Sequence, residues 1–295
     1  MTQVEARAEP LVRRRFPSLT GGRGIGIAAT LAAIMLFLIV MLAIFAPLIA
    51  PYDPIQMDPS KRLQPASEMF LLGTDAYGRD LFSRIVYGAR ISLIVGIGAA
   101  VVSVGIGLPL GLLSGFFRPL DAILMRIMDG LMAIPSILLA IAVVSLAGAS
   151  LWTVLVAITI PEIPRVVRLV RSVVLTAREE PYVEAAIAVG SSLPKIMWRH
   201  LMPNTLAPLI VQGTYICASA ILTEAILSFL GAGIGTETPS WGNIMSEGRV
   251  YFQLKPSLIF WPGLFLSICI LSINLLGDTA RDLLDPRMKQ RGAAR

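Results

Sequence analysis

From Ile91 to Phe117 the chain reads ISLIVGIGAAVVSVGIGLPLGLLSGFF, 27 residues without a charged side chain. A helix rises about 1.5 Å per residue and bilayer hydrocarbon is about 30 Å thick, so this run is long enough to span a membrane. Within it Gly107, Gly111 and Gly115 recur every four residues. On a helix they form one smooth stripe, which suits close approach of a neighbouring backbone better than contact with a solute.

Outward from this run the same pattern repeats. Gly26 to Ala50 and Pro256 to Gly277 are uncharged over 25 and 22 residues, and Thr205 to Gly235 contains only Glu224. Gly130 to Pro161 is uncharged over 32 residues, too long for one comfortable span and too short for two. Two fit if flanking residues are borrowed, with Arg126 and Asp129 near the start of the first and Glu162 and Arg165 near the end of the second. Ala147-Gly148-Ala149-Ser150 supplies the turn between them. The chain of 295 residues is 55% apolar and 15% charged, against about 25% charged in soluble domains, which excludes disorder, a disulfide scaffold and most soluble enzymes.

Positive charge decides between six spans and five. Six spans put 18 of the 25 Lys and Arg on the side of the termini and 7 opposite, whereas five split them 16 and 9. The larger asymmetry favours six, with both termini cytoplasmic. The first run follows Arg13, Arg14 and Arg15 but is much longer than the apolar core of a secretory signal, so it reads as a retained helix. The net charge of +6 flanks apolar runs and is not interleaved with aromatics, which argues against nucleic acid. Cys217 and Cys269 lie inside apolar runs and read as small buried hydrophobes.

Familiar catalytic devices are missing. No Gly-Lys dipeptide occurs, so there is no phosphate-binding loop for nucleotide hydrolysis. His200 is the only histidine and has no companion at metal-ligand spacing. Glu224 is the one clear intramembrane acid, near the outer end of the fifth span, and a proton-coupled secondary transporter would have to use it. Pro109, Pro135, Pro161, Pro164, Pro208 and Pro262 fall in or beside spans, where they open local kinks.

Two polar connections remain. Leu72 to Leu93 reads LGTDAYGRDLFSRIVYGARISL, in which Asp75/Arg79 and Asp80/Arg84 have the favourable i,i+4 acid-to-base order. A surface helix feeding the second span is the economical reading; solvated anchoring charge is the other. Glu179 to Asn204 reads EEPYVEAAIAVGSSLPKIMWRHLMPN. Pro181 suits a first helical turn, Gly190 a turn, and Ser191 or Ser192 the cap of a second short helix. Such a loop would expose a Val183/Ala186/Ile187 face, a liability unless a partner covers it or it lies back on the bundle.

Glu184-Ala185-Ala186, Gly190 and Pro203 resemble the EAA loop of bacterial ABC-importer permeases, with His200-Leu201-Met202-Pro203 similar to the ending found in the peptide-importer branch. Leu72 to Leu93, with Gly73, Thr74, Asp75, Gly78, Arg79, Asp80 and Arg84, resembles the signature ahead of the permease core. Glu224 to Gly231 with Pro239-Ser240-Trp241-Gly242 resembles the end of the fifth span and its outer loop. Asn274, Gly277 and Asp278, followed by Arg281 to Pro286, resemble the C-terminal signature. Together these look like the second permease subunit of dipeptide, oligopeptide and nickel importers.

The resemblance implies an all-α polytopic membrane protein with six transmembrane helices and the MetI-like type I importer fold. It implies a cytoplasmic tail at 1–25, a first helix at 26–50, an extracytoplasmic loop at 51–89, a core at 90–277 with a coupling loop at 176–204, and a cytoplasmic tail at 278–295. The chain would be a non-catalytic subunit of the bacterial inner membrane, without a cofactor or metal of its own. Its partners would be a second, homologous permease, two ATPase subunits that hold ATP and magnesium, and an extracytoplasmic solute-binding protein. Peptides are the first-choice solute, with nickel or a modified peptide such as glutathione next.

Overall fold

The computed structural model describes residues 26–235 and 237–284. The tail at 1–25 and residues 285–295, including Asp285 and Pro286, lie outside the described residues. Helix α1, Ile27–Ile44, and the short α2, Ala46–Ile49, form the first apolar run. A loop with a 3-10 turn at Pro59–Lys61 leads to α3, Leu81–Phe116, whose 36 residues extend about 54 Å at the usual helical rise. Then follow α4, Arg118–Met132, α5, Ser136–Ala147, and α6, Leu151–Ala177. Two short helices, α7 at Pro181–Ala188 and α8 at Leu193–Ile196, lead through a π turn at Met197–Leu201 into α9, Met202–Phe229. Helix α10, Trp241–Gly248, and α11, Ser257–Leu284, complete the bundle.

Two expectations need correction. Leu72–Asp80 does not form a surface helix; it folds as turns, and α3 starts inside the expected 51–89 loop because Asp80 caps it. The Asp80 carboxylate accepts from the Ser83 amide at 2.7 Å and from Ser83 Oγ at 2.6 Å, so it is committed to the helix end and does not pair with Arg84. The kink expected at Pro135 is present, in the first of the two spans expected around Gly130. Pro135 lies at the break between α4 and α5, which meet at 84°. Finally, α6 continues to Ala177, so Glu162 and Arg165 sit near its middle and not near its end.

The expected turn after α5 is present. Gly148 takes φ +88°, and Ser150 Oγ accepts from the Thr153 amide at 3.1 Å to cap α6. Among the described residues α1, α3, the α8–α9 rod and α11 are long and apolar enough to cross a membrane, and the bent α4–α5 pair passes when taken together. Helix α6 is long but carries Glu162, Arg165, Arg168 and Arg171. Arg168 pairs with Asp129 at 2.5 Å and Arg171 Nη2 with Asp121 at 2.6 Å, tying α6 to α4.

The glycine stripe of α3 has the packing role its spacing suggests. A Cβ at Gly107, Gly111 or Gly115 would lie 2.5, 2.5 and 2.6 Å from Val166, Val170 and Val174, which step along α6 with the same period. These valines are fully buried and belong to one apolar core shared by α3, α5, α6 and α9. A second core joins α1, α3, α9, α10 and α11 around Trp241, whose Nε1 donates to the Ile85 carbonyl at 3.1 Å. Gly111→Leu should separate α3 from α6 and cost about 2–3 kcal/mol through overpacking. Folded protein extracted from membranes should drop severalfold, whereas Gly105→Leu, at a position open around its Cα, should be extracted at the wild-type level.

Candidate functional site

The loop between α6 and α9 is built on a buried base. Val183, Ile196 and Leu201 are inaccessible and belong to the α3–α6–α9 core. Tyr182 packs 6.3 Å from the His200 ring, and Asn204 Nδ2 donates to Tyr182 Oη at 3.0 Å and to the His200 carbonyl at 2.6 Å. This corrects the expected exposed face: Val183 is buried and Ala186 half-buried, because Val183 enters the core beside the loop and Tyr182 is bonded to Asn204. The exposed apolar side chains are Ile187, Val189, Leu193 and Trp198, with Val189 85% and Trp198 61% accessible.

Gly190 determines how that surface is presented. It takes φ +81°. Its amide donates to the Ile187 carbonyl at 2.9 Å and the Ser191 amide to the Ala186 carbonyl at 3.0 Å, the paired bonds of a Schellman helix end. No atom lies within 4 Å of a Cβ built there, so what demands glycine is the backbone angle and not crowding. Glu184 and Ala185 are exposed on α7, Glu184 in its first turn, where the helix dipole favours a carboxylate. Pro203 occupies the first turn of α9.

The residues around Leu72–Leu93 gather at the opposite end of α3, about 45 Å along its axis from Gly115, whose carbonyl accepts from Arg178 at 3.1 Å. Asp75 is the hub. Its Oδ1 accepts from the amides of Tyr77 and Arg79 at 2.8 and 2.9 Å. Its Oδ2 accepts from Arg79 Nε at 2.7 Å and Arg84 Nη1 at 2.5 Å. Glu247 of α10 closes the cluster, bonding Arg84 at 2.6 Å and also Arg79. Two carboxylates and two guanidiniums are therefore nearly all buried, so the alternative of solvated anchoring charge does not describe them.

Thr74 Oγ1 donates to the Lys61 carbonyl at 2.5 Å, and Lys255 Nζ donates to the Thr74 and Gln64 carbonyls, at 2.7 Å to the first. Burial pulls the Lys255 ammonium below its usual pKa, with the charge of Asp75 opposing. Gly73 and Gly78 both take positive φ, and a Cβ at Gly78 would overlap the Asp58 carbonyl. Glu247 and Lys255 were not recognisable in the sequence. Their partners are 163 to 191 residues away, and no local spacing links them.

The C-terminal group joins α11 to α9. Gly277 lies against Thr214, and Tyr215 Oη donates to Asp278. Asn274 lines a cleft with Glu162 and Arg165. Glu224 is fully buried, and its Oε1 accepts from Ser228 and Ser240, both at 2.8 Å, which fastens the start of α10 to α9. Cys217 is half-buried and Cys269 buried, and both are free. Among the described residues no His/Cys/Asp/Glu group could hold a metal.

An apolar helical bundle with a long ionisable α6, a glycine-turned loop at one end and a buried ion cluster at the other defines a polytopic membrane protein. The chain belongs to the family of binding-protein-dependent transport system inner membrane components, which matches residues 107–290. The N-terminal membrane domain of oligopeptide transport permease C matches residues 28–66. In this family the chain is a permease subunit, and ATP hydrolysis resides in a separate subunit.

A probable peptide ABC transporter permease of Sinorhizobium fredii is 52% identical over 251 residues, 85% of this chain and 86% of that protein. A dipeptide transport system permease of Alkalihalophilus pseudofirmus is 44% identical over 262 residues, 88% and 86% of the two chains. A glutathione transport system permease of Pectobacterium atrosepticum is 39% identical over 263 residues, 88% and 87%. The permease fold is shared with the methionine ABC transporter in its inward-facing conformations, with a TM-score of 0.56 and 21% identity over 68% of this chain and 96% of that one.

Proposed function

We propose that this chain is half of the membrane path of a peptide importer and that its 176–204 loop transmits ATPase movement to the helices. Supporting the loop assignment is one observation: Ile187, Val189, Leu193 and Trp198 are each exposed on one short connection whose course is set by a Schellman turn at Gly190. Exposed apolar side chains gathered on a polar connection call for a protein partner. Glu184, Ala185, Ala186, Gly190 and Pro203 belong to that contact. Peptide as the solute follows the names of the relatives; glutathione, itself a modified peptide, remains within the same chemistry.

The chain pairs with a second, homologous permease, two ATPases holding ATP and magnesium sit under the two loops, and a binding protein delivers solute from outside. ATP can shift the permease between outward and inward states only if the ATPase surface binds this loop differently in the two. The buried ion cluster of Gly73 to Arg84 holds the outer loop on α10, and Asn274, Gly277 and Asp278 hold α11 on α9. Six crossings, with α6 as the fourth and both termini cytoplasmic, fit the charge distribution along the chain.

Co-expression with the neighbouring importer subunits and measurement of labelled dipeptide uptake tests the function; uptake that does not require the ATPases would refute it. Topology is tested with single cysteines. Glu68→Cys should react with an impermeant thiol reagent added outside intact cells and Ser192→Cys should not, both sites being exposed. Labelling of Ser192→Cys in sealed cells would overturn the orientation.

A further inference from the structure

Near the middle of α6 lies a polar cleft that neither the coupling loop nor the ion cluster uses. The Glu162 carboxylate is buried and accepts from Arg165 Nη1 at 2.7 and 3.0 Å and from Ser219 Oγ at 3.4 Å. With Gln212, Tyr215 and Asn274 these residues line a cavity of about 320 Å³ between α6, α9 and α11. Glu162 is about 16 Å along α6 from its Leu151 end, half the thickness of bilayer hydrocarbon.

A charged pair at that depth is costly against lipid, and Arg165 has 47% of its side chain exposed. The open side of the cleft therefore faces water or protein. A second cavity, of about 680 Å³, shares Gln212 and Tyr215 with the first and extends along α9 to Pro203 and Asn204, beside the coupling loop. With α6 as the fourth crossing proposed above, the polar pair lies at mid-depth, and two cavities that share lining residues lie between it and the loop, as a solute path requires.

We infer that the Glu162–Arg165 pair is a transient binding site for the charged termini of the transported peptide. This rests on the reading of the chain as a peptide permease. The pair engages Nη1 of Arg165 alone. A zwitterionic peptide can exchange with it, ammonium to Glu162 and carboxylate to Arg165, while Gln212, Ser219 and Asn274 bond the peptide amide. One internal ion pair is replaced by two, so no buried charge is left alone during passage. A solute that offers a carboxylate to Arg165 but no ammonium would strand the buried Glu162 carboxylate, and stranding a desolvated charge is what makes a site selective. Because the internal pair competes with the solute, binding stays weak enough for release.

The test uses the assembled complex without its binding protein, so that selection by that protein does not intervene. Saturation-transfer NMR should detect Ala-Ala binding about tenfold tighter than its N-acetylated, C-amidated form, about the worth of one charged hydrogen bond. Glu162→Gln and Arg165→Gln should bring that ratio close to one, and Arg165→Lys should preserve most of it. Arg165 is half-exposed, so its variants remain informative if Glu162→Gln fails to insert. No preference in the wild type, or a preference that survives in both Gln variants, would overturn the inference. So would loss of the partner permease on purification of Arg165→Gln, since the pair would then be an interface contact. A wild-type complex that imports no peptide with its binding protein present would instead refute the peptide reading itself.

Discussion

Gly190→Val is expected to lose solute uptake while the protein still inserts and pairs with its partner permease. The left-handed φ of +81° at this position is open to glycine and tolerable for asparagine, but a β-branched side chain pays about 2 kcal/mol or more to stay there. At about 1.4 kcal/mol per factor of ten, that penalty lowers the fraction of loops in docking geometry about thirtyfold. No neighbouring atom lies within 4 Å of the added Cβ, so the loss should follow backbone preference and not side-chain size. Gly190→Asn should keep most uptake and binding-protein-stimulated ATP hydrolysis, Gly190→Ala should be intermediate, and Gly190→Val should lose both. Equal activity across the series at equal membrane abundance would mean that the loop is not the coupling element.

A milder effect is expected from charge reversal at Glu184. Its carboxylate is exposed in the first turn of α7, so Glu184→Lys removes a favourable dipole contact of a few tenths to about 1 kcal/mol and does not move the backbone. The apolar surface of Ile187, Val189, Leu193 and Trp198 stays where it was. A loss as deep as that of Gly190→Val would show that the ATPase reads Glu184 directly as a charge.

Legibility in the sequence follows the range of the interaction. The four plainly apolar spans, the turn at Gly148 to Ser150, the glycine stripe and the Gly190 turn all depend on residues close in the chain, and each is readable. What the glycine stripe meets, Val166, Val170 and Val174, was not, because facing positions on α6 carry no mark of their partner. The direction of Val183 was misjudged for a similar reason: an eight-residue helix has no long period from which to tell its inner face. Asp80/Arg84 had ideal helical spacing, yet capping the start of α3 claimed Asp80, and burial with Asp75 and Glu247 claimed Arg84. Glu162 and Arg165 were visible as charges beside an apolar run. Their place near the middle of α6 was not, because α6 continues through residues that an apolar count rejects.

The buried cluster supplies the second large effect. Arg84→Met should lower the stability of the purified protein by about 3–5 kcal/mol, because it leaves Asp75 and Glu247 in a dry site with Arg79 as their only guanidinium. In thermal unfolding this corresponds to a drop on the order of 10 °C. Asp75→Asn should be comparably damaging, since an amide nitrogen facing two guanidiniums replaces an acceptor with a donor. The decisive variant is the double one. Arg84→Met with Glu247→Gln removes one charge of each sign, so the remaining Asp75–Arg79 pair is balanced again. Its loss should be smaller than the sum of the two single losses by about 1–3 kcal/mol. Strict additivity would mean that Arg84 acts through packing of its aliphatic stem and not through the ion cluster. The loop before α3 would then be held at the start of α11 by Lys255 bonding the backbone carbonyls of Gln64 and Thr74.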